Sequence, residues 1–233
     1  MIPKKIHQIY FNWENKPIEE IQLFKKSIDL AREKNPDYTY KLWSEKQCKE
    51  LIIREFPEYE DFYMNMRYDI QRVDFIRFCI LYSQGGFYMD LDMHTIKNFD
   101  PLLNEKIIMQ SNRHMIPKHP EFVMNDFMAS EKGFIFWKIV MQECEENYKQ
   151  KEKIEVYNTW KGRFVLQTTG PRFLSRCVKK MLPSYKPHHV IWTKWRNEIY
   201  KDMPRDDYFV ECFRAGSWLN RTNKNLKTHK TFK

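Results

Sequence analysis

Asp90 and Asp92 are the residues of this 233-residue chain whose types and spacing are best suited to chemistry. They follow the glycine pair Gly85-Gly86, with only apolar and aromatic residues in between. Phe87, Met89, Leu91 and Met93 alternate with Tyr88, Asp90, Asp92 and His94, the period of two of a strand. On such a strand both carboxylates share one face, about 6–7 Å apart. Two carboxylates at the end of a buried strand are costly unless a cation compensates them. Oxygen donors alone suit Mg²⁺ or Mn²⁺, ions that commonly bridge carboxylates to phosphates. A solvated acidic strand end is the plain alternative.

These carboxylates need elements to position them. Residues 67–84 read as a helix that is apolar almost all round, through Val73, Phe75, Ile76, Phe78, Ile80 and Leu81, which predicts burial against a sheet. It ends at Gly85-Gly86, because glycine readily takes the left-handed conformation that closes helices. Asp74 and Arg77 share a face of this helix, where they either pair with each other or hold hydroxyl groups of a substrate. Upstream, residues 5–11 read as a strand, 17–33 as a helix opened by proline and 38–43 as a second strand. Ser44 with Gln47 forms a capping box for the next helix. Downstream, 107–110 and 121–130 look extended and 134–148 helical. Thr168 to Pro171 turns into a helix over 172–181, and 190–193 and 208–212 are short strands. The alternation predicts an α/β fold, with a mixed central sheet flanked by helices.

Length fits one domain over residues 1–220, followed by a basic tail over 221–233. The net charge of +9 favours anionic partners, namely nucleic acid, an anionic membrane or phosphorylated small molecules, without choosing among them. No stretch approaches the roughly 18 apolar residues of a membrane span. The first residues lack the apolar core of a secretory signal. Five scattered cysteines with no CxxC pair suggest free thiols and no zinc site. Together these features predict a soluble, cytoplasmic protein without a transmembrane segment.

Several segments, taken in order, resemble the DXD-containing glycosyltransferases that include the yeast initiating α-mannosyltransferase, capsular and viral relatives and, more distantly, the clostridial glucosylating toxins. They are residues 2–10 (IPKKIHQIY), 35–43 (NPDYTYKLW), 72–93, 125–130 (NDFMAS), 169–171 (TGP) and 215–218 (AGSW). The resemblance implies a GT-A type fold, a Mn²⁺ or Mg²⁺ ion and a retaining hexosyl transfer. The donor it implies is a nucleotide sugar, GDP-mannose or a UDP-hexose, and the acceptor a glycan or glycoprotein. Carried over by position, Asp90 and Asp92 hold the metal on the diphosphate, while Asp74 and Arg77 bind donor-sugar hydroxyls. His7, Gln8 and Tyr10 face the base, with tyrosine where the family usually has tryptophan, and Tyr88 belongs to the donor site. Ser217 and Trp218 close over the leaving group. A histidine that often supplies a further metal ligand is missing here, which leaves that role to Glu211 or to water. A bacterial or viral source follows from the expected cytoplasmic location.

Two other classes fit less well. An aspartate-nucleophile phosphohydrolase also ends an apolar strand in Asp-x-Asp, but near the chain start and with threonine where His94 stands. A basic nucleic-acid binder is suggested by Trp192, Trp195, Arg196 and the tail, yet gains nothing from paired carboxylates, so no nucleic-acid partner is expected. His114, His119, His188 and His189 read as surface or satisfied core histidines.

Overall fold

A computed structural model of the chain describes residues 1–13, 15–111, 122–152, 161–188, 191–193 and 208–213. Strand β1 (Lys5–Tyr10) lies between β2 (Thr39–Ser44) and β3 (Gly86–Met89) and is parallel to both. An antiparallel pair, β6 (Val123–Ser130) and β5 (Ile107–Ser111), extends the sheet beyond β3, giving the order β2-β1-β3-β6-β5. A smaller sheet holds β4 (Met93–Thr95), β8 (Val210–Cys212) and β7 (Ile191–Thr193) in the order β4-β8-β7. The mixed sheet with flanking helices is the α/β architecture expected from the sequence.

The helices are α1 (Gln22–Lys34), α2 (Glu45–Glu55), α3 (Glu60–Met64), α4 (Asp69–Gln84), α5 (Ile135–Glu152), α6 (Lys161–Thr168) and α7 (Pro171–Met181). Ser44 caps α2 as its sequence predicts, its hydroxyl accepting from the Gln47 N–H while the Gln47 side chain accepts from the Ser44 N–H. Eleven residues of α4, Asp74 and Arg77 among them, are buried. On the α4 side of the sheet the core contains Tyr88, Met128, Phe75, Phe78, Trp137 and Leu174, with Phe78 stacked on Trp137. On the other side Ile6, Phe87, Met89, Phe99, Phe127 and Val210 pack together. Helices α3 and α6, five and eight residues long, are absent from the sequence reading, being too short for a helical period to repeat.

The long strand expected through Asp90 and Asp92 is shorter and differently shaped. Pairing in β3 ends at Met89, and Asp90 to Asp92 form a turn in which the Met93 N–H donates to the Asp90 carbonyl (3.2 Å). The period of two is present, but it sends Tyr88 into one core and Phe87 and Met89 into the other, so neither face meets water. A strand buried on both faces cannot continue through two carboxylates at bearable cost, and aspartate is a good turn residue. The chain therefore leaves the main sheet at Asp90 and enters the small one at Met93.

Gly86 has φ +92°, and a Cβ there would lie 2.6 Å from the Lys5 carbonyl oxygen, because β1 and β3 run side by side at that point. His7, on β1, ties three elements together. Its Nδ1 accepts from Trp43 Nε1–H on β2 (3.2 Å), so Nε2 carries the proton and donates to the Gly85 carbonyl (3.0 Å). Burial pushes its pKa down from 6.5 to about 4, with Lys5 and Lys41 adding to the effect and the Gly85 bond opposing it. The imidazole is neutral.

Two stability experiments follow. Gly86→Ala loses about 1–3 kcal/mol more than Gly133→Ala in urea unfolding, since both positions have left-handed backbone but only Gly86 lacks room; equal losses contradict the close approach. For His7, the unfolded chain binds a proton below pH 6.5 that the folded chain refuses until about pH 4, so this histidine's contribution is complete above 6.5 and lost as pH falls through 4. The stability gap between the wild type and His7→Gln therefore narrows by about 2 kcal/mol from pH 7 to pH 5, and a gap independent of pH contradicts the buried neutral ring.

Candidate active site

The parallel strands β1 and β3 place Tyr10 and Asp90 at one edge of the sheet, the carboxyl edge where α/β sheets bind ligands. Arg77 reaches this edge from α4. Its Nη2 lies 2.9 Å from Asp90 Oδ1 and its Nη1 lies 2.9 Å from Asp74 Oδ1. Nε–H donates to the Tyr88 hydroxyl (2.9 Å), and Nη1 also donates to the Asn125 carbonyl (3.1 Å). The Tyr88 hydroxyl in turn donates to Asp90 Oδ1 (2.6 Å), and the guanidinium sits 5.0 Å from the Tyr88 ring centre. The side chains of Arg77 and Asp74 are each only 5 % exposed, that of Asp90 27 %.

Asp74 is enclosed on every side. Besides Arg77, Asn125 Nδ2 donates to its Oδ1 and the Thr169 hydroxyl to its Oδ2, each at 2.9 Å. Burial raises its pKa, while Arg77, Thr169 and Asn125 pull it back. Burial also opposes the Arg77 charge, but Asp90, Tyr88 and Asp74 outweigh it and hold the guanidinium above its ordinary pKa. At Asp90 the balance differs. Burial raises the carboxyl, Arg77 lowers it, Asp92 raises it again, and it comes to rest at about 7. Both contacts fall on Asp90 Oδ1, and Asp92 stands near enough to act on the same carboxyl.

The backbone at Asp90 is held as firmly as its side chain. Its N–H donates to the Asp126 carbonyl (2.9 Å), and Gln8 Nε2 reaches its carbonyl (3.3 Å). Gln8 also donates to Ser27 Oγ (2.8 Å) and accepts from the Tyr40 hydroxyl (2.7 Å), so its amide is committed inside the protein. Tyr10 is half-buried at the end of β1, its hydroxyl donating to the Lys16 carbonyl and its ring edge-on to Phe24. Asp92 is half-exposed in the turn and its carbonyl accepts the Phe213 N–H (2.9 Å).

The structure thus brings together Asp74, Arg77, Tyr88 and Asp90, sets Asp92 beside Asp90, and places Gln8 beneath them. His7 lies deeper, at the helix-to-strand turn. Glu211 pairs with His94 across β8 and β4 and lines a pocket with Lys26, Lys34 and Phe213. Among the described residues, no group of three His, Cys, Asp or Glu side chains gathers as for a metal ion. Ser217, Trp218, His114, His119, His189, Trp195, Arg196 and residues 221–233 lie outside the described residues. Asn125 and Thr169 complete the site without having been singled out as site residues. Their signal is slight: a polar residue inside an apolar strand, and a threonine before Gly-Pro.

Residues 22–114 match the glycosyltransferase sugar-binding region containing a DXD motif. The chain is 31 % identical over 224 residues to inositol phosphoceramide mannosyltransferase 3 of Schizosaccharomyces pombe, covering 93 % of this chain and 56 % of that protein. It is 34 % identical over 175 residues to the mannosyl phosphorylinositol ceramide synthase CSH1 of Saccharomyces cerevisiae, covering 75 % and 42 %. Among solved structures, the PaToxG glycosyltransferase shares its fold at a TM-score of 0.57 and 20 % identity, over 78 % of this chain and 71 % of that one. The chain spans about half the length of the curated relatives it matches.

These relatives correct one expectation. They are yeast proteins named for inositol phosphoceramide, which runs against the cytoplasmic location that the sequence predicts. The apolar-run argument behind that reading reduces to a narrower fact: no helix among the described residues is long and apolar enough to cross a membrane. With the DXD residues on the sheet edge of a GT-A type fold and this sequence kinship, the chain belongs to the glycosyltransferases whose sugar-binding region contains a DXD motif.

Proposed function

We propose that the chain transfers a mannosyl group from a nucleotide-sugar donor to an acceptor hydroxyl, retaining the anomeric configuration and depending on a divalent cation held by Asp90 and Asp92. The observation that carries this reading is the Asp90 carboxylate at the sheet edge: Arg77 and Tyr88 fix its Oδ1, the side chain is 27 % exposed, and Asp92 stands close by. The names of the curated relatives favour mannose, which makes GDP-mannose the first donor to test and UDP-hexoses the second. The acceptor for which those relatives are named contains a phosphorylated polyol, inositol phosphate, and we extend that acceptor class to this chain.

The residues fit such an ion. Two carboxylates in one turn are a hard oxygen donor set, and protein groups alone leave Asp90 with a pKa of about 7, so a cation is needed to hold it fully ionised at neutral pH. Bound Mn²⁺ or Mg²⁺ supplies charge neutralisation to the departing diphosphate. Asp90 and Asp92 would hold such an ion.

The remaining residues bind and orient. Four of the five guanidinium N–H groups of Arg77 are engaged within the protein, so Arg77 chiefly positions Asp90 and keeps one donor for the leaving group. Asp74 is a positioning residue, because its oxygens already accept from Arg77, Asn125 and Thr169 and it has no room to attack a sugar carbon. That favours same-face attack by the acceptor over a covalent glycosyl-enzyme. Tyr10 borders the base, and His7 and Gln8 hold the strand ends in place.

Asp92→Ala tests the reading. In a variant whose circular dichroism and thermal unfolding show it to be folded, cation-dependent hydrolysis of GDP-mannose falls by about a hundredfold or more. Undiminished cation-dependent turnover in folded Asp92→Ala overturns the assignment.

A further inference from the structure

A cavity opens next to the DXD turn. It has a volume of about 280 Å³ and lies between α1 and the small sheet, lined by Lys26, Leu30 and Lys34 on one side and by His94, Glu211 and Phe213 on the other. Its rim begins at the turn itself, since the Phe213 N–H donates to the Asp92 carbonyl (2.9 Å), and the register continues as Met93 opposite Cys212 and His94 opposite Glu211. Whatever fills the cavity therefore lies alongside the residues proposed to hold the donor.

Its chemistry is mixed, and the mixture is informative. Glu211 and His94 are 7 % and 5 % exposed, a buried carboxylate and a buried imidazole at the sheet wall. Phe213 is 36 % exposed and its ring lies 4.3 Å from that of His94, giving an apolar surface suited to the C–H face of a saturated ring. Lys26, Leu30 and Lys34 recur every four residues and form one stripe of α1. Lys26 has no carboxylate within ion-pair distance among the described residues, and Lys34 touches only the exposed Glu33. A bare anion would meet repulsion from Glu211. A neutral glycan would leave the ammonium groups without use. A hydroxylated ring bearing one phosphate uses both walls, its C–H face against Phe213 and its phosphate toward Lys26 and Lys34. The volume is below the roughly 300–1,000 Å³ of sites for drug-sized ligands, which limits the occupant to about one six-membered ring with its phosphate.

We infer that this cavity is the acceptor subsite and that it recognises a phosphate-bearing polyol through Lys26 and Lys34. The inference rests on the mannosyl-transfer reading for its role, but the binding it predicts needs neither donor nor cation.

Titration calorimetry on the whole chain without donor tests it, with inositol 1-phosphate, myo-inositol and inorganic phosphate as probes. Inositol 1-phosphate binds at least about tenfold more tightly than either other probe, and Lys26→Gln with Lys34→Gln removes that preference. The charge-matched control Lys46→Gln with Lys138→Gln, on exposed surfaces away from the cavity, leaves it unchanged. Sedimentation with phosphatidylcholine vesicles containing phosphatidylinositol separates the sources. Vesicle binding that depends on Lys26 and Lys34, with weak binding of the soluble probe, assigns a lipid headgroup; tight binding of the soluble probe without vesicle binding assigns a free polyol phosphate. Equal affinity for all three probes, inorganic phosphate as tight as inositol 1-phosphate, no change in the cavity variant, an equal loss in the control, or binding of neither source overturns the inference. Cation-dependent donor hydrolysis by the unmodified chain stands apart from these outcomes and reports on the transferase reading alone.

Discussion

One buried guanidinium organises this molecule. Arg77 lies between Asp74 and Asp90 with both contacts at 2.9 Å, and the tyrosine that follows Phe87 bonds to arginine and carboxylate alike. Burying a charge is costly, and breaking such a pair by removing one partner costs about 3–5 kcal/mol because the other is stranded. The network therefore holds its geometry firmly. Its consequence is local: the protein's own contacts to the Asp90 side chain, from Arg77 and Tyr88, both fall on Oδ1. Helix α4 has to be buried almost entirely for this to occur, and the sheet has to end where its two carboxylates begin.

The same constraint accounts for the turn at Asp90. Residues inside β3 feed two separate cores, so a charged residue in continued pairing would be forced into one of them. Leaving the sheet at this point keeps Asp90 at the boundary and Asp92 half-exposed, and it starts a small second sheet whose strands wall off a cavity. The proposed donor and acceptor surfaces thus diverge from one turn of three residues.

Much of this was legible in the sequence because it is local. The Ser44–Gln47 capping box, the stop of α4 at Gly85-Gly86 and the proximity of Asp74 to Arg77 depend on neighbours within a few residues. What escaped was long-range. Asn125 and Thr169 reach Asp74 from 51 and 95 residues away, and no local pattern announces them. The period of two is present, but the strand it implies through Asp92 stops at Met89, because both of its faces are covered. Lys26, Leu30 and Lys34 read as an ordinary helix surface until β4 and β8 supply the opposite wall.

The central claim is that Arg77 fixes one side of Asp90 so that the other side, with Asp92, holds a divalent ion against a diphosphate. Anomalous diffraction at the manganese edge, from crystals grown with Mn²⁺ and GDP, examines it directly. The account predicts a manganese peak in contact with both carboxylates and the diphosphate, with Asp90 still paired to Arg77. A peak located elsewhere, or GDP bound at the sheet edge with no manganese between it and Asp92, contradicts it.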